Sequence, residues 1–262
     1  MMEIKKLIYV TDMNSPRFEE MEQLMVFRKL GLEEVIFLNP RGIGDWDERV
    51  QDHGVKARTL AGEGLALSRI LDAVRREEPS MIAASLNRRR RKVLRGSPVR
   101  NLLRSSPVPV LLLNQEKHPS GPLEKGVFQH VIYATDWSPV SETVLKYLLN
   151  LKEIIEMLEI VNVIHKKLSV RELRSLKQRI TETRKIFLDE GIDAEAHIYA
   201  GKPHEEILLA ASDYDATAIV MGTSRKSRMQ GMIRRSCSYR VAEKAEIPVL
   251  VVPIKGLGGQ AV

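Results

Sequence analysis

A chain of 262 residues with 44% hydrophobic and 29% charged content is long enough for two domains with separate cores. Its single cysteine, Cys237, excludes an internal disulfide, and no run of residues is apolar enough to span a bilayer. The net charge of +7 is concentrated. Fourteen of the 41 basic residues fall in two acid-free stretches, 87–104 and 222–242, leaving 27 against 34 acidic residues elsewhere.

The opening MMEIKKLIYVTD enters a strand directly, without an apolar signal region, so a reducing cytoplasm is the expected location. The first strand ends in Thr11-Asp12, and Ser15-Pro16 pairs an N-cap hydroxyl with proline at the first helical position. The segment 40–54, PRGIGDWDERVQDHG, reads as too short and glycine-rich for more than one helical turn. After a Gly62 turn come a helical pattern, the apolar MIAAS, the first basic run with Gly96-Ser97-Pro98, and the strand PVPVLLLN.

The same landmarks then return. LIYVTDMNSP matches VIYATDWSP with the aspartates 124 apart, whereas PVPVLLLN matches IPVLVVP at an offset of 139, so the first copy is shorter in its middle. Residues 1–116 and 127–255 read as two related domains, joined by a Pro-, Gly- and charge-rich linker at 117–126 and followed by a tail at 256–262. In the second copy, apolar runs at 131–135, 159–164, 194–199, 217–221 and 248–252 alternate with helical patterns at 140–156, 170–190, 204–212 and 236–245. This predicts an α/β fold of two tandem doubly wound parallel sheets, Rossmann-like, the first shortened. Apolar last strands would expose pairing edges, so they are expected to meet each other as a pseudo-dimer within the chain, with a homodimer left open.

These blocks in this order resemble a tandem universal stress protein, an adenine nucleotide alpha hydrolase-like fold. The resemblance implies a cytoplasmic stress-response protein, more a binder than an enzyme. Its ligand would be ATP or AMP, with magnesium on the phosphates. It places the site at Ala134, Thr135, Asp136, Val163, Met221, Gly222, Arg225, Arg235, Ser236, Cys237 and Ser238, with weaker first-half counterparts at Thr11, Asp12, Gly96 and Ser97. In nucleotide-binding members the loop after the fourth strand carries three glycines before a Ser or Thr. Here that register gives Gly222, Arg225, Arg235 and Ser236. Arginine removes backbone freedom but supplies a guanidinium that grips phosphate. Pro98 deletes an amide donor in the first copy, and Ala84 is read there at the place of Gly222, so the second copy is the expected site.

Each of these residues also has a structural reading. Asp136 could cap local amides, Val163 and Met221 could be core, and His204 is expected in the first turn of an exposed helix. Cys237 is either a thiol activated by a helix terminus and arginines or a small semi-buried side chain without chemistry. None of the six histidines has the spacing of a metal site. Few aromatic residues, 5%, stand apart from the basic runs, so sequence-specific nucleic acid is not expected. Three functions remain: nucleotide-regulated stress protein with protein partners, interaction module for phosphorylated or polyanionic partners through an anion-binding face, and slow ATPase. The last has no placed base beyond Asp136.

Overall fold

The computed structural model of the chain describes residues 3–11, 16–38, 43–60, 66–85, 98–113, 126–223 and 236–254. Its first half carries β1 (Lys6–Thr11), α1 (Phe18–Glu22) continuing as a 3-10 helix (Gln23–Leu30), β2 (Glu34–Leu38), α2 (Trp46–Asp52), β3 (Lys56–Leu60), α3 (Leu67–Glu77), β4 (Met81–Ser85), α4 (Pro98–Ser105) and β5 (Val110–Leu113). The second carries β6 (His130–Ala134), α5 (Pro139–Asn150), a 3-10 turn (Lys152–Ile154), β7 (Met157–Ile164), α6 (Val170–Asp189), β8 (Asp193–Ala200), α7 (Pro203–Asp213), β9 (Ala218–Thr223), α8 (Cys237–Lys244) and β10 (Val249–Pro253).

All ten strands form one sheet in the order β3-β2-β1-β4-β5-β10-β9-β6-β7-β8. Each half repeats one order, and every ladder is parallel except β5–β10. Strands such as MIAAS are buried along their whole length because helices cover both faces of the sheet, the condition a parallel sheet requires. One core lies under α1, α2, α5 and α6, with Met21, Val50, Leu148 and Phe187 among its members. The other lies under α3, α4, α7 and α8, with Ile70, Leu102, Ile207 and Val241. The α/β, doubly wound expectation holds.

Two local expectations fail for physical reasons. The segment 40–54 forms a helix of seven residues, α2, rather than a single turn. Trp46 drives it: its ring is only 4% exposed and meets Phe18 at 5.4 Å, Tyr9 at 5.7 Å and Phe37 at 6.0 Å, all edge-on, while Arg49 covers Phe18 at 3.6 Å. Gly44 and Gly54, both at positive φ, bracket the helix instead of breaking it. His204 does lie in the first turn of α7, but it is buried, with 6% exposure. Burial and the positive charges of Arg240 and Lys244 on α8 hold its imidazole below the ordinary pKa.

The halves are joined at the sheet centre. Val110, Leu111 and Leu112 pair antiparallel with Val251, Leu250 and Val249, as the apolar last strands predict. Flanking this ladder, Phe27 of the first half meets Phe128 of the second at 5.6 Å, both fully buried. On the other face Arg100 of α4 lies over the Tyr239 ring of α8 at 4.5 Å. The antiparallel junction also inverts direction. β4 and β9, which lead into the two basic runs, therefore close at opposite edges of the sheet. The basic loops themselves, 86–97 and 224–235, lie outside the described residues.

Truncating Phe128 to alanine should cost about 3–5 kcal/mol in urea unfolding. In a double-mutant cycle with Phe27→Ala, the coupling should be about 0.5–1.5 kcal/mol; additive losses would show that the rings act independently.

Candidate functional site

In the second half the strand order reverses between β6 and β9, and the helices that follow these two neighbours leave toward opposite faces, α5 to one and α8 to the other. A crevice opens where such neighbours diverge at the carboxyl ends of parallel strands. The register puts Ala134 beside both Met221 and Val161. Ala134, Thr135 and Met221 are buried, and Val163 is half-buried against the same core. These residues make an apolar floor, so their structural reading and their place at the site coexist.

Asp136 follows the end of β6. Its Oδ1 accepts from the Ser141 hydroxyl at 2.7 Å and from the Ser138 amide at 3.0 Å, while its own amide donates to Ser141 Oγ at 3.2 Å. Partial burial opposes ionisation, but the hydrogen bonds from Ser138 and Ser141 outweigh it and hold the carboxyl below its usual pKa. Ser138 occupies the N-cap before Pro139, yet its hydroxyl makes no capping bond. Asp136 receives its amide instead.

Opposite Asp136 starts α8, with Ser236 at its N-cap and Cys237 as first residue. The Ser236 hydroxyl pairs with that of Ser238 at 2.8 Å and does not cap the helix, so among the described residues no side chain takes the first-turn amides. The Cys237 thiol is pushed up to about 11 by burial first and by the charge of Asp136 second, against a smaller opposing effect of Arg240. Burial and Asp136 thus work against activation of the thiol, in favour of the inert reading. Arg225 and Arg235 lie outside the described residues, as do Asp12, Gly96 and Ser97 of the first half.

Gly222 has a reason to be glycine that is independent of any ligand. A Cβ built on it would overlap Val140 Cγ1 and crowd Val144 Cγ2 at 3.1 Å, so the missing side chain lets α5 approach β9. Its φ is not positive. The first-half counterpart also needs correction. Ala84 pairs with Val10 as Met221 pairs with Ala134, so the residue at the place of Gly222 is Ser85 rather than Ala84. Thr11 ends β1 beside it, buried. Ser85 Oγ donates to the buried carboxylate of Glu20 at 2.8 Å, on the helix that corresponds to α5. The Glu20 carboxylate also lies 4.0 Å from Arg17 Nε, so this place in the first half holds a buried polar grouping where the second has a glycine.

Three residues of this neighbourhood escaped the sequence reading. Trp137 adopts a left-handed φ of 51°, its amide donating to Thr135 Oγ1 at 3.1 Å and its indole N–H to Thr183 Oγ1 at 3.0 Å. Asn162 donates to the Thr135 carbonyl at 2.8 Å, fixing the end of β6. Ser141, in the first turn of α5, organises Asp136 as described. The left-handed tryptophan after the Thr-Asp pair was readable only as a turn residue; the other two signals depend on spatial neighbours.

The described residues also contain a His/Glu cluster. Glu159, Glu195 and His197 bring ligand atoms within 4.8 Å of one another, and His130 joins through the second Glu159 oxygen. The four sit on three adjacent strands, β6, β7 and β8, so linear spacing cannot reveal them.

Comparison with known proteins gives a coherent set of likenesses. The model of the universal stress protein family matches residues 128–253. A universal stress protein of Methanocaldococcus jannaschii is 27% identical over 157 residues, 49% of this chain and 97% of that protein. The stress response protein NhaX of Bacillus subtilis is 33% identical over 73 residues, 28% of this chain and 44% of its own. Across both halves, the crystal structure of an Archaeoglobus fulgidus universal stress protein is similar with a TM-score of 0.72 and 25% identity, covering 96% of this chain and 97% of that one.

Two outcomes test this geometry. Gly222→Ala should destabilise by about 1–3 kcal/mol in chemical denaturation, with part of the loss recovered when Val140→Ala is added. A double mutant as unstable as the sum of both would remove the close-approach argument. Because the folded pKa of Asp136 is depressed, its stabilisation is present above the ordinary aspartate pKa and lost as pH falls through the folded value. Asp136→Asn should therefore melt lower than the parent near neutral pH and converge with it only as pH falls below the ordinary aspartate range and through the depressed folded value. Ser141→Ala should shift the acid loss to higher pH.

Proposed function

The chain belongs to the universal stress protein family, and from that premise we propose that its second half binds an adenine nucleotide in the crevice between β6 and β9. The observation that carries this reading is the pairing, across the strand-order reversal, of an ionised Asp136 with the open N-terminus of α8. Adenine would rest on Ala134, Val163 and Met221 and the ribose would meet Asp136. The phosphates of ATP or AMP would face the amides of Cys237 and Ser238, with Ser236, Arg225 and Arg235 beside them. Bound phosphate would supply most ligands of any magnesium ion, with Asp136 as the nearby protein carboxylate. The reading is of a non-enzymatic, cytoplasmic stress-response protein. Its residues 1–116 and 127–255 form a duplicated pair, of which the first serves as structural partner.

A second reading draws on different observations. Asp136 is already satisfied by Ser138 and Ser141, and Gly222 is explained by Val140, so both motif residues have structural reasons to persist without nucleotide. The basic loops would then serve a phosphorylated or polyanionic partner.

Calorimetry on the intact chain separates the two. One equivalent of ATP or AMP should bind, with affinity falling at least about tenfold in Asp136→Ala. Cys237→Pro, which keeps a comfortable first helical position but deletes its amide, should weaken binding similarly while Cys237→Ala does not. Heat with neither nucleotide, alongside polyphosphate binding that weakens steeply with salt, would replace the first reading by the second.

A further inference from the structure

Glu159 lies on the face of the sheet covered by α7, with its side chain only 4% exposed. A buried carboxylate is costly unless its oxygens are paired. Here each oxygen meets one imidazole: Oε1 lies 2.9 Å from His130 Nε2 and Oε2 lies 2.7 Å from His197 Nε2. Glu195 brings a second carboxylate to the outer side, its Oε2 at 3.9 Å from the same His197 nitrogen. The sheet register produces this grouping, since Glu159 is aligned with Ile132 on one side and Glu195 on the other. His130 and His197 each stand two residues from one of those positions, on the same face.

The His197 ring is held from its far side. The Tyr214 hydroxyl, at the end of α7, lies 3.1 Å from Nδ1, and the two rings stack at 4.6 Å. An imidazole whose outer nitrogen is hydrogen-bonded and whose Nε2 points at carboxylates has the disposition that metal-binding histidines show. One imidazole and two carboxylates, His197 with Glu159 and Glu195, bring three ligand atoms within 4.8 Å of one another and suit zinc rather than magnesium or calcium, which favour all-oxygen sets. In a tetrahedral zinc site the ligand atoms stand about 3.3 Å apart. The 2.7 Å contact would open and the 3.9 Å one close, while His130 holds the other Glu159 oxygen at 2.9 Å from outside the ligand set. Glu195, 66% exposed, gives the ion a path from solvent.

We propose that Glu159, Glu195 and His197 form a zinc-class metal site toward the amino-terminal side of β7 and β8, with His130 orienting Glu159 and water completing the coordination. It would be distinct from the nucleotide crevice beyond the carboxyl end of β6. Zn²⁺ takes the place of the hydrogen shared between His197 and Glu159 and ties β7 to β8. The proposal does not depend on nucleotide binding.

The test uses the full chain stripped with chelator and returned to metal-free buffer. Elemental analysis after exposure to excess zinc chloride and desalting should find about one zinc per chain. At a zinc concentration near 100 times Kd, the melting midpoint should rise about 5–10 °C, whereas magnesium chloride should leave it unchanged. Glu195→Gln, at an exposed position, should fold as the parent does and weaken zinc binding at least about tenfold; His197→Ala and Glu159→Gln should lose the zinc equivalent. Cys237→Ala should retain it. Absence of retained zinc together with an unmoved midpoint would overturn the site. So would zinc binding undiminished in the His197 and Glu195 variants, or a magnesium shift equal to that of zinc.

Discussion

The three-residue antiparallel ladder between β5 and β10 is the contact on which the rest of this molecule depends. Alone, either half would end in a bare apolar strand, with unpaired amides and carbonyls inviting any other edge. Meeting each other, Val110–Leu112 and Val249–Val251 bury both edges and place them at the centre of a ten-strand sheet. Both cores run through the junction: Leu111 and Leu250 belong to one, Leu112 and Val249 to the other. The Phe27–Phe128 and Arg100–Tyr239 contacts brace the same seam from either face.

Within this frame the halves differ in how they fill equivalent places. At the place where the fourth strand passes the first helix of its half, the second half has glycine facing Val140 and Val144. The first has serine hydrogen-bonded to Glu20. Each solution is locally complete, one by van der Waals fit and the other by a polar pair. The crevice of the second half is thus lined on that side by hydrocarbon, and the corresponding place in the first by a carboxylate. That difference distinguishes the described residues at the two strand-order reversals.

Much of this architecture was legible in the sequence because parallel strands buried on both faces write themselves as short apolar runs. MIAAS and VLVV could hardly be anything else. Legibility failed where one side chain outweighed local composition, as Trp46 does in a glycine-flanked helix, and where a slide in alignment had no hydrophobic penalty. Ala84 and Ser85 are both small, so only the pairing of Ala84 with Val10 shows which of them stands opposite Gly222. At the candidate site the Thr-Asp strand end and the Ser-capped helix could be read directly. The service of Ser141 and Asn162 to them could not, since neither belongs to a contiguous pattern. The His130–Glu159–His197 grouping is the extreme case: its members come from three strands, and their relation exists only in the register.

The inversion at the seam gives the molecule two poles of unlike composition. Each pole gathers the strand ends that carry ligand-facing loops from one half and the strand beginnings of the other. The start of α4 and the His/Glu cluster near the start of β6 consequently share one pole, while Asp136 and the start of α8 occupy the other. Occupants of the crevice and of the cluster would approach from opposite directions and would not contend for room.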